Sequence, residues 1–403
     1  MTTDRLYYND SHLIEFEARV IDLTERVSNW TAVVLNRTAF YPTGGGQPSD
    51  TGTLNGARVV ECIDDGDKGV LHMIQGATPA IGSIVKGRVD WPRRLDHMQQ
   101  HTGQHILSQA FVTLFNAATK SFRVLDQSCE IDVELTNPTA EIIERAVELA
   151  NNVIWEDRPL AIRNVTAEEA AALPLRKDPA REGELRLIEI EGFDLTPCGG
   201  THAYRTGEVG MIAVRSWERA KGLTRIEFVA GGRALADYRR ANKSAREIAT
   251  LFSTGRDDAP DLAARMLEEN KELHRQVRVL EEIAAASEAE KLIVAAQTGA
   301  DGLRVVTQVF DARDAESLKK LAHALIANSK TVVLLGSRDS DTARLVFARS
   351  ADATADMNAL MREACVQLDG RGGGKADMAQ GGGKNVNKLS DVLELTKRRL
   401  SPQ

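Results

Sequence analysis

The pattern of apolar and polar positions in residues 1–90 predicts a β-rich domain. Apolar and polar side chains alternate over residues 16–20, and residues 33–35 form a short apolar run. The dipeptide Asn55-Gly56 stands between two strand-like segments, where it favours a two-residue hairpin turn. We therefore expect a small domain that resembles a β-barrel.

Helical periodicity replaces this alternation after the N-terminal domain. Asp90 occupies the position of a helix cap and Pro92 suits the first helical turn, so a helix is predicted to begin here. A second helix is predicted at about 139–156, and residues 186–232 return to strands and loops. Residues 91–240 are thus expected to form an α+β domain.

Residues 241–300 are predicted to form a helical arm or a short coiled coil. Neither proline nor glycine interrupts residues 261–291, and apolar residues recur there at alternating spacings of three and four. This spacing is typical of a coiled-coil seam, in which Asn270 would occupy an a position. Because an arm packed on its own chain satisfies the same pattern, the sequence allows a monomer or a homodimer.

Strands and helices alternate through residues 301–403, which predicts a small α/β domain. Strands are expected at 303–310, 331–336 and 343–349, and helices at 314–328, 356–368 and 386–399. Two triple-glycine turns, each followed by a lysine, are expected before the last helix. The whole chain is therefore predicted to be a multidomain α+β protein.

Composition and charge narrow the class of protein. Of the 403 residues, 42% are apolar and 27% charged, which is typical of a folded protein and excludes global disorder. The N-terminal residues are polar and acidic, and no apolar run approaches the ~20 residues that span a bilayer. Four cysteines are too few for a disulfide framework in so long a chain. A cytoplasmic protein without a membrane segment is expected.

The net charge of −7 is unevenly distributed along the chain. Residues 301–403 carry 16 basic and 13 acidic groups, whereas the preceding segments are net acidic. A local basic surface on an acidic chain fits a limited contact with RNA. A solvated helix end would produce the same imbalance, so charge alone does not decide between them.

Three histidines and one cysteine fall into two clusters with the spacing of metal ligands. His101 and His105 are four residues apart in a predicted helix, so both rings project from one face. Cys198 and His202 bound a Cys-Gly-Gly-Thr-His loop. Either cluster alone would more often be surface histidines or an inert cysteine. Together they provide three nitrogens and one thiolate, a donor set that suits tetrahedral zinc.

Two glycine-rich segments can bring bare backbone N–H groups close to a ligand. The first, FYPTGGGQP at residues 40–48, lacks the spacing of a P-loop or a dinucleotide fingerprint, and its alternative is a flexible turn between strands. The second could contact a phosphate chain, and its alternative is a disordered linker. The residues of this second candidate contact are Arg371, Gly372, Gly373, Gly374, Lys375, Gly381, Gly382, Gly383 and Lys384.

These motifs together resemble those of AlaX-type alanyl-tRNA editing proteins, relatives of the editing domain of alanyl-tRNA synthetase. The matching pieces are FYPTGGGQPSDTG in the N-terminal part, HTGQH at 101–105, CGGTH at 198–202 and RIEFVAGGRAL at 225–235. The second glycine-rich segment is similar to the DHH-associated C-terminal domain of that synthetase, which indicates the long form of the family.

The resemblance implies a zinc site beside the aminoacyl end of a mischarged tRNA(Ala). The expected reaction is hydrolysis of the ester in seryl-tRNA(Ala), with glycyl-tRNA(Ala) as a further candidate substrate. An alanine site cannot strongly exclude a smaller amino acid or an added hydroxyl, so a second site must remove the errors. The implied zinc ligands are His101, His105, Cys198 and His202, and the implied substrate-recognition residues are Thr43, Gly44, Gly45 and Gly46.

The catalytic side chain stays unknown at this point. Position 102 is Thr, so HExxH chemistry is absent, and Gln104 is the candidate for orienting a water. Zinc with four protein ligands would position substrate or hold the fold, whereas a loose ligand would let it activate water. Where relatives commonly have a histidine, this chain has Arg123, which would alter a contact with the tRNA end.

Two other functions fit parts of the sequence. A non-catalytic tRNA-binding protein with a structural zinc would use the same clusters without turnover. A zinc hydrolase of another ester or peptide would leave the glycine–lysine segment unexplained.

Overall fold

The computed structural model divides the chain into two compact units, Met1–Thr250 and Leu251–Gln403. It describes residues 3–26, 30–178, 183–299 and 302–400. Within these ranges, no helix combines the length and the apolar composition that crossing a membrane requires.

The first unit begins with a closed six-stranded barrel. In chain order, the strands of this region are β1 (Asp4–Arg5), β2 (Glu15–Arg26), β3 (Trp30–Leu35), β4 (Arg37–Thr38), β5 (Gly52–Leu54), β6 (Ala57–Asp64), β7 (Val70–Gln75) and β8 (Ile84–Val89). The order around the barrel is β2-β3-β7-β6-β5-β8, and β1 pairs in parallel with β4. The predicted barrel-like domain is confirmed.

The alternating pattern fills the barrel with apolar side chains. Phe16, Ala18 and Val20 on β2 are buried in its core, as alternation on a half-buried strand requires. Asn55 and Gly56 adopt φ values of 47° and 85° and connect β5 to β6. Positive φ at both positions is what a two-residue hairpin turn of the primed type needs, so the predicted turn is confirmed.

Helices and two antiparallel sheets complete the first unit. The elements are α1 (Trp91–Phe115), β9 (Thr119–Val124), β10 (Cys129–Val133), α2 (Ala140–Trp155), β11 (Leu160–Val165), α3 (Ala167–Ala171), β12 (Leu185–Ile190), β13 (Asp194–Pro197), β14 (Ile212–Ala220), β15 (Leu223–Ala230) and α4 (Gly231–Leu251). One sheet has the order β14-β15-β10-β9 and the other the order β11-β12-β13. Apolar residues of α1, α2 and the first sheet share one core.

The two helices predicted here are present, but one cap differs. Pro92 lies in the first turn of α1, and Thr139 caps α2 by accepting a backbone N–H of its first turn. Asp90 precedes α1 without capping it through its side chain. Its carboxylate instead accepts the Thr51 hydroxyl at 2.6 Å and pairs with Arg58 at 2.8 Å.

A buried ion pair joins α1 to the barrel. Arg94 in the first turn of α1 and Asp50 just before β5 are both fully buried. The guanidinium of Arg94 donates to the carboxylate of Asp50 and to the carbonyls of Ser11 and Ala39, at 2.5 and 2.6 Å. The backbone N–H of Tyr41 donates to the same carboxylate at 2.7 Å. These hydrogen bonds stabilise the two charges, which would otherwise lie buried and unpaired in an apolar interior.

The second unit is a small α/β fold. Its elements are α5 (Ala259–Ala295), β16 (Arg304–Asp311), α6 (Ala315–Ile326), β17 (Thr331–Arg338), β18 (Ala343–Arg349), α7 (Met357–Gln367), β19 (Gly370–Gly374), β20 (Met378–Gly383) and α8 (Leu389–Leu400). The sheet order is β16-β17-β18-β20-β19. β16 and β17 are parallel and connected by α6, while the remaining pairs are antiparallel.

The two triple-glycine segments are strands, which corrects the predicted turns. They lie in β19 and β20, which pair antiparallel along their length. A Cβ atom on Gly372 or Gly381 would lie 2.6 or 2.4 Å from the Sγ atom of Cys365 in α7. Helix α7 therefore packs directly on the backbone of this hairpin, a contact that only glycine permits and that local sequence does not reveal.

The apolar seam of α5 is largely exposed. Met266, Leu273, Val277 and Leu280 have between 49% and 64% of their surface exposed, whereas Ala289 near the end of the helix is buried against α6. These four seam residues are thus largely exposed, whereas the end of α5 packs on α6. The predicted alternatives, a monomer or a homodimer formed through this arm, both stay predictions.

We predict that Asp50→Asn destabilises the first unit by about 3 kcal/mol, because it leaves the buried guanidinium of Arg94 without its counter-charge. Urea unfolding followed by tryptophan fluorescence would measure the change. The matched control is Glu189→Gln, which breaks a half-exposed pair with Arg163 and should cost less than about 1 kcal/mol. Equal losses in the two variants would show that burial of the first pair carries no special cost.

Candidate metal centre and adjoining cavity

Helix α1 and the loop after β13 bring the four predicted metal ligands together. Their potential donor atoms all lie within 4.8 Å of one another. The Sγ atom of Cys198 is 3.3 Å from Nε2 of both His101 and His202. His105, one turn after His101, has its ring centroid 4.7 Å from that of His202. Tetrahedral zinc bonds of about 2.0–2.3 Å place donors roughly 3.3–3.8 Å apart, so the separations between Cys198 and the two histidines suit this ion.

The loop reaches the helix so closely that position 200 requires glycine. A Cβ atom on Gly200 would lie 2.3 Å from the imidazole ring of His101. Arg186 on β12 braces the loop by donating to the carbonyls of Cys198 and Gly200, at 2.6 and 3.1 Å. Gly200 of the Cys-Gly-Gly-Thr-His motif therefore permits this close approach, whereas a Cβ atom on Gly199 would lie 3.5 Å from the Tyr8 hydroxyl, an ordinary contact.

Each of the three histidines has its Nδ1 atom held by a protein group. Such contacts fix the orientation and tautomer of a ligand ring. The pairs are His101 with Oε1 of Gln47 at 2.8 Å, His105 with Oδ2 of Asp194 at 3.2 Å, and His202 with Oγ1 of Thr102 at 3.2 Å. In His101 and His202 this leaves Nε2 facing the thiol of Cys198.

The electrostatics of the cluster favour the metal-binding form of its sulfur. Burial raises the pKa of the Cys198 thiol, but the adjacent imidazoles of His101 and His202 outweigh burial and hold that pKa well below its ordinary value. Burial lowers the pKa of His101, and it lowers the pKa of His202 to about 3. A thiolate and neutral imidazoles are the forms that bind a divalent metal.

A buried carboxylate supports the third histidine. Burial opposes the charged form of Asp194, but the hydrogen bond with His105 and the charge of Arg176 outweigh it and hold its pKa far below the usual range. Arg176 donates to Asp194 at 2.8 Å. Burial likewise opposes the charged form of His105, yet the Asp194 carboxylate raises the His105 pKa. A metal ion that binds His105 would compete with the proton that this raised pKa favours on the ring.

The cluster lies on the wall of a cavity of about 620 Å³. Barrel loops, β9, β12 and the Cys198 loop enclose it. Its aromatic side chains are Tyr7, Tyr8, Tyr41 and Phe122, and its charged side chains are Arg5, Asp64, Lys120, Arg176, Lys177, Glu184 and Arg186. The cavity is thus mixed in character, with more cations than anions.

Part of the N-terminal glycine motif faces this cavity. Thr43, Gly44 and Gly45 line it, whereas Gly46 turns toward β9, where its carbonyl accepts the backbone N–H of Val124 at 2.8 Å. The motif as a whole was predicted to recognise substrate, and three of the four residues are placed where they could contact one.

Gln104 and Arg123 differ in their placement. Gln104 lines the cavity, and its Nε2 donates to the hydroxyl of Ser108 at 2.8 Å. Arg123 pairs with Glu130 at 2.5 Å on the exposed face of the sheet. Because side chains alternate along β9, the neighbour of Arg123 on the cavity side is Phe122, whose ring centroid is 5.2 Å from that of His101.

The candidate RNA contact lies in the second unit. Arg371, Lys375 and Lys384 are exposed around the β19–β20 hairpin. The six glycines predicted to offer free backbone amides, Gly372, Gly373, Gly374, Gly381, Gly382 and Gly383, are instead paired across the hairpin. The exposed cations are therefore the groups of this segment that could meet a phosphate chain.

Several residues of the site escaped the sequence analysis. Gln47 carried a sequence signal, because it directly follows the three glycines of the motif; the structure buries it to 1% exposure. Asp194, four residues before Cys198, could have been found as an acid near a ligand. Arg186 and Tyr8 carried no local signal, since they reach the cavity only through the packing of β12 against the N-terminal segment.

Three family profiles match the chain. The DHHA1 domain matches residues 302–401, the threonyl and alanyl tRNA synthetase second additional domain matches residues 185–227, and the tRNA synthetases class II (A) profile matches residues 2–93. These segments cover the C-terminal fold, the Cys198 loop and the barrel.

Similar proteins are editing proteins and ligases of the alanine system. The alanyl-tRNA editing protein AlaX-L of Pyrococcus horikoshii is 32% identical over 394 residues, which cover 94% of this chain and 94% of that protein. The alanine–tRNA ligase of Methanobrevibacter smithii is 30% identical over 408 residues, which cover 98% of this chain and 45% of the ligase. The chain thus spans less than half the length of that ligase.

Among solved structures, the C-Ala domain of Aquifex aeolicus alanyl-tRNA synthetase is 34% identical, with a TM-score of 0.24, and the match covers 26% of this chain and 96% of that domain. The family follows from the editing protein, whose match extends over nearly the full length of both chains. This protein belongs to the AlaX-type alanyl-tRNA editing protein family, in its long form with a DHHA1 domain.

Proposed function

We propose that this protein is a cytoplasmic hydrolase that removes the wrong amino acid from mischarged tRNA(Ala). Its chief substrate is seryl-tRNA(Ala), with glycyl-tRNA(Ala) as the second candidate. The observation that carries the proposal is a three-histidine, one-cysteine cluster on the wall of a cavity, in a chain of the alanyl-tRNA editing family.

The cavity suits the aminoacylated end of a tRNA in size and chemistry. Its volume of about 620 Å³ falls within the range of small-molecule sites. The guanidinium groups of Arg5 and Arg186 lie over the ring of Tyr8, at 5.7 and 5.3 Å from the ring centroid. Guanidinium groups bind phosphate, so this wall would hold a phosphate of the terminal nucleotides.

His101, His105, Cys198 and His202 would hold a zinc ion beside that end. When bound, zinc would orient the ester carbonyl or lower the pKa of a water, depending on whether all four ligands stay attached. The side chains around it position the groups that react. Gln104 is held by Ser108 through its Nε2, so its carbonyl oxygen is the group that would accept a hydrogen bond from a water and orient it.

Selectivity against alanine would come from polar groups in the cavity. Thr43 and Gln104 line the same wall as the cluster. A serine hydroxyl can pair with either group, whereas a methyl side chain cannot. The loss falls on Gln104, which is 6% exposed, because leaving a buried polar group unsatisfied costs about 1–3 kcal/mol. The exposed Thr43 hydroxyl can pair with water instead. The correctly charged alanyl-tRNA would therefore bind and react less well.

The proposal predicts that the zinc-loaded protein hydrolyses seryl-tRNA(Ala) at least about 100-fold faster than alanyl-tRNA(Ala). The measurement is release of labelled amino acid from seryl-, glycyl- and alanyl-tRNA(Ala) in parallel. Reactions without protein and with metal-depleted protein serve as controls. Binding of tRNA with no hydrolysis above these controls would replace the proposal by a non-catalytic tRNA-binding protein with a structural zinc.

For the metal, we expect about one zinc per chain in the wild type and strongly reduced occupancy in Cys198→Ala, since a tetrahedral site needs all four ligands. Elemental analysis after dialysis against a weak chelator measures both. Cys129→Ala is the matched control, because Cys129 is also a free cysteine of the first unit but lies outside the cluster. Zinc retained in Cys198→Ala would refute the ligand assignment.

For the RNA contact, we propose that Arg371, Lys375 and Lys384 bind tRNA phosphates. Changing all three to Gln should weaken tRNA binding and reduce the slope of log affinity against log salt by about 0.7–0.9 per lost contact. The control changes Lys243, Lys271 and Arg275 to Gln, which removes the same charge from other exposed positions. Equal effects in both triple variants would mean that only net charge matters.

A further inference from the structure

We infer that Gln47 positions His101 for metal binding and ties it to the loop that carries Cys198 and His202. Gln47 follows the three glycines of the N-terminal motif, and no glycine could supply this contact. The inference rests on the metal site of the proposed function, but it concerns how that site is held together and not which ester it cleaves.

The hydrogen bonds of Gln47 determine which of its amide atoms meets His101. The backbone N–H of Thr201 lies 3.3 Å from one of them, and because a backbone N–H can only donate, that atom is the oxygen Oε1. The same oxygen lies 2.8 Å from Nδ1 of His101. The amide nitrogen donates to the Thr201 hydroxyl at 2.8 Å. All hydrogen bonds of this buried amide are thus mutually consistent.

This arrangement assigns the tautomer of His101. An amide oxygen only accepts, so Nδ1 of His101 must carry the proton and Nε2 must carry the lone pair. Nε2 is also the atom that lies 3.3 Å from Sγ of Cys198. The ring is therefore held with its metal-binding nitrogen pointing toward the other ligands.

The glycine motif is shaped to deliver Gln47 into the interior. Gly44 and Gln47 exchange two backbone hydrogen bonds of 3.0 and 2.9 Å, which closes a tight turn. Gly45 and Gly46 occupy positive φ values of 56° and 81° within it. The turn leaves the outer residues on the cavity wall and sends the next side chain inward to α1. One motif thus serves both the cavity and the metal cluster.

Gln47 and Thr102 are the two neutral groups among the three that hold the histidines. His105 is held by the carboxylate of Asp194 and His202 by the hydroxyl of Thr102. The Gln47 amide adds no charge to the cluster, and its oxygen joins His101 of α1 to the backbone N–H of Thr201 in the Cys198 loop. Loss of a group that orients a metal ligand typically weakens metal binding by about 10- to 100-fold.

The test compares zinc affinity in full-length variants by competition with a chromophoric chelator. Gln47→Met keeps the length of the side chain but removes all three of these hydrogen bonds, and should weaken zinc binding by about 10- to 100-fold. Gln47→Glu retains an acceptor for Nδ1 of His101 and should restore most of the affinity. The absorption spectrum of the cobalt-substituted protein should change in the Met variant and return toward wild type in the Glu variant.

Gln100→Met is the matched control. Gln100 is fully buried in the same helix, next to His101, but its amide pairs with the backbone of Ala230 at 2.9 and 3.0 Å and contacts no ligand. It should lower the unfolding midpoint of the metal-free protein while leaving zinc affinity unchanged.

Wild-type zinc affinity in Gln47→Met would overturn the inference, and so would equal losses in Gln47→Met and Gln47→Glu, or in Gln47→Met and Gln100→Met. These outcomes are distinct from failure of the proposed function. A protein that binds zinc in a Gln47-dependent way but hydrolyses no mischarged tRNA would support the inference and refute the hydrolase.

Discussion

The buried ion pair between Arg94 and Asp50 is the contact on which the arrangement of the site depends. Arg94 lies in the first turn of the helix that carries His101 and His105. Asp50 lies three residues after Gln47, which follows the three glycines of the N-terminal motif. Separating the pair would leave two charges in the protein interior, at a cost of several kcal/mol. The helix and the motif therefore keep a fixed distance, and the contact between Gln47 and His101 follows from it.

The charges of the candidate metal cluster are compensated by the groups packed around it. A thiolate needs neighbouring positive charge or donors in a buried site, and the imidazoles of His101 and His202 lie against Cys198. Asp194 is compensated in turn by Arg176 and His105. Each buried charge thus has a partner from a different segment of the chain, so the site exists only when α1, β13 and the barrel loops are assembled.

Local patterns predicted the features that depend on a few consecutive residues. The Asn55-Gly56 turn and the start of α1 near Pro92 both follow from the backbone freedom or restriction of single residues. The glycine–lysine segment was wrongly predicted as turns because triple glycine looks the same in a loop and in a strand. Its pairing depends on the distant Cys365 in α7, which a local pattern cannot include.

The sequence by itself determined the strand alternation of the N-terminal domain, the helical periods and the two ligand pairs, His101 with His105 and Cys198 with His202, because each is encoded by spacing within a short segment. Only the tertiary structure decided that Gln47 and Asp194 hold the histidines, that Arg123 faces away from the cavity, and that the β19–β20 glycines pair with each other. Those outcomes depend on contacts between residues far apart in the chain, and their partners are chosen by packing and by the need to satisfy buried polar groups.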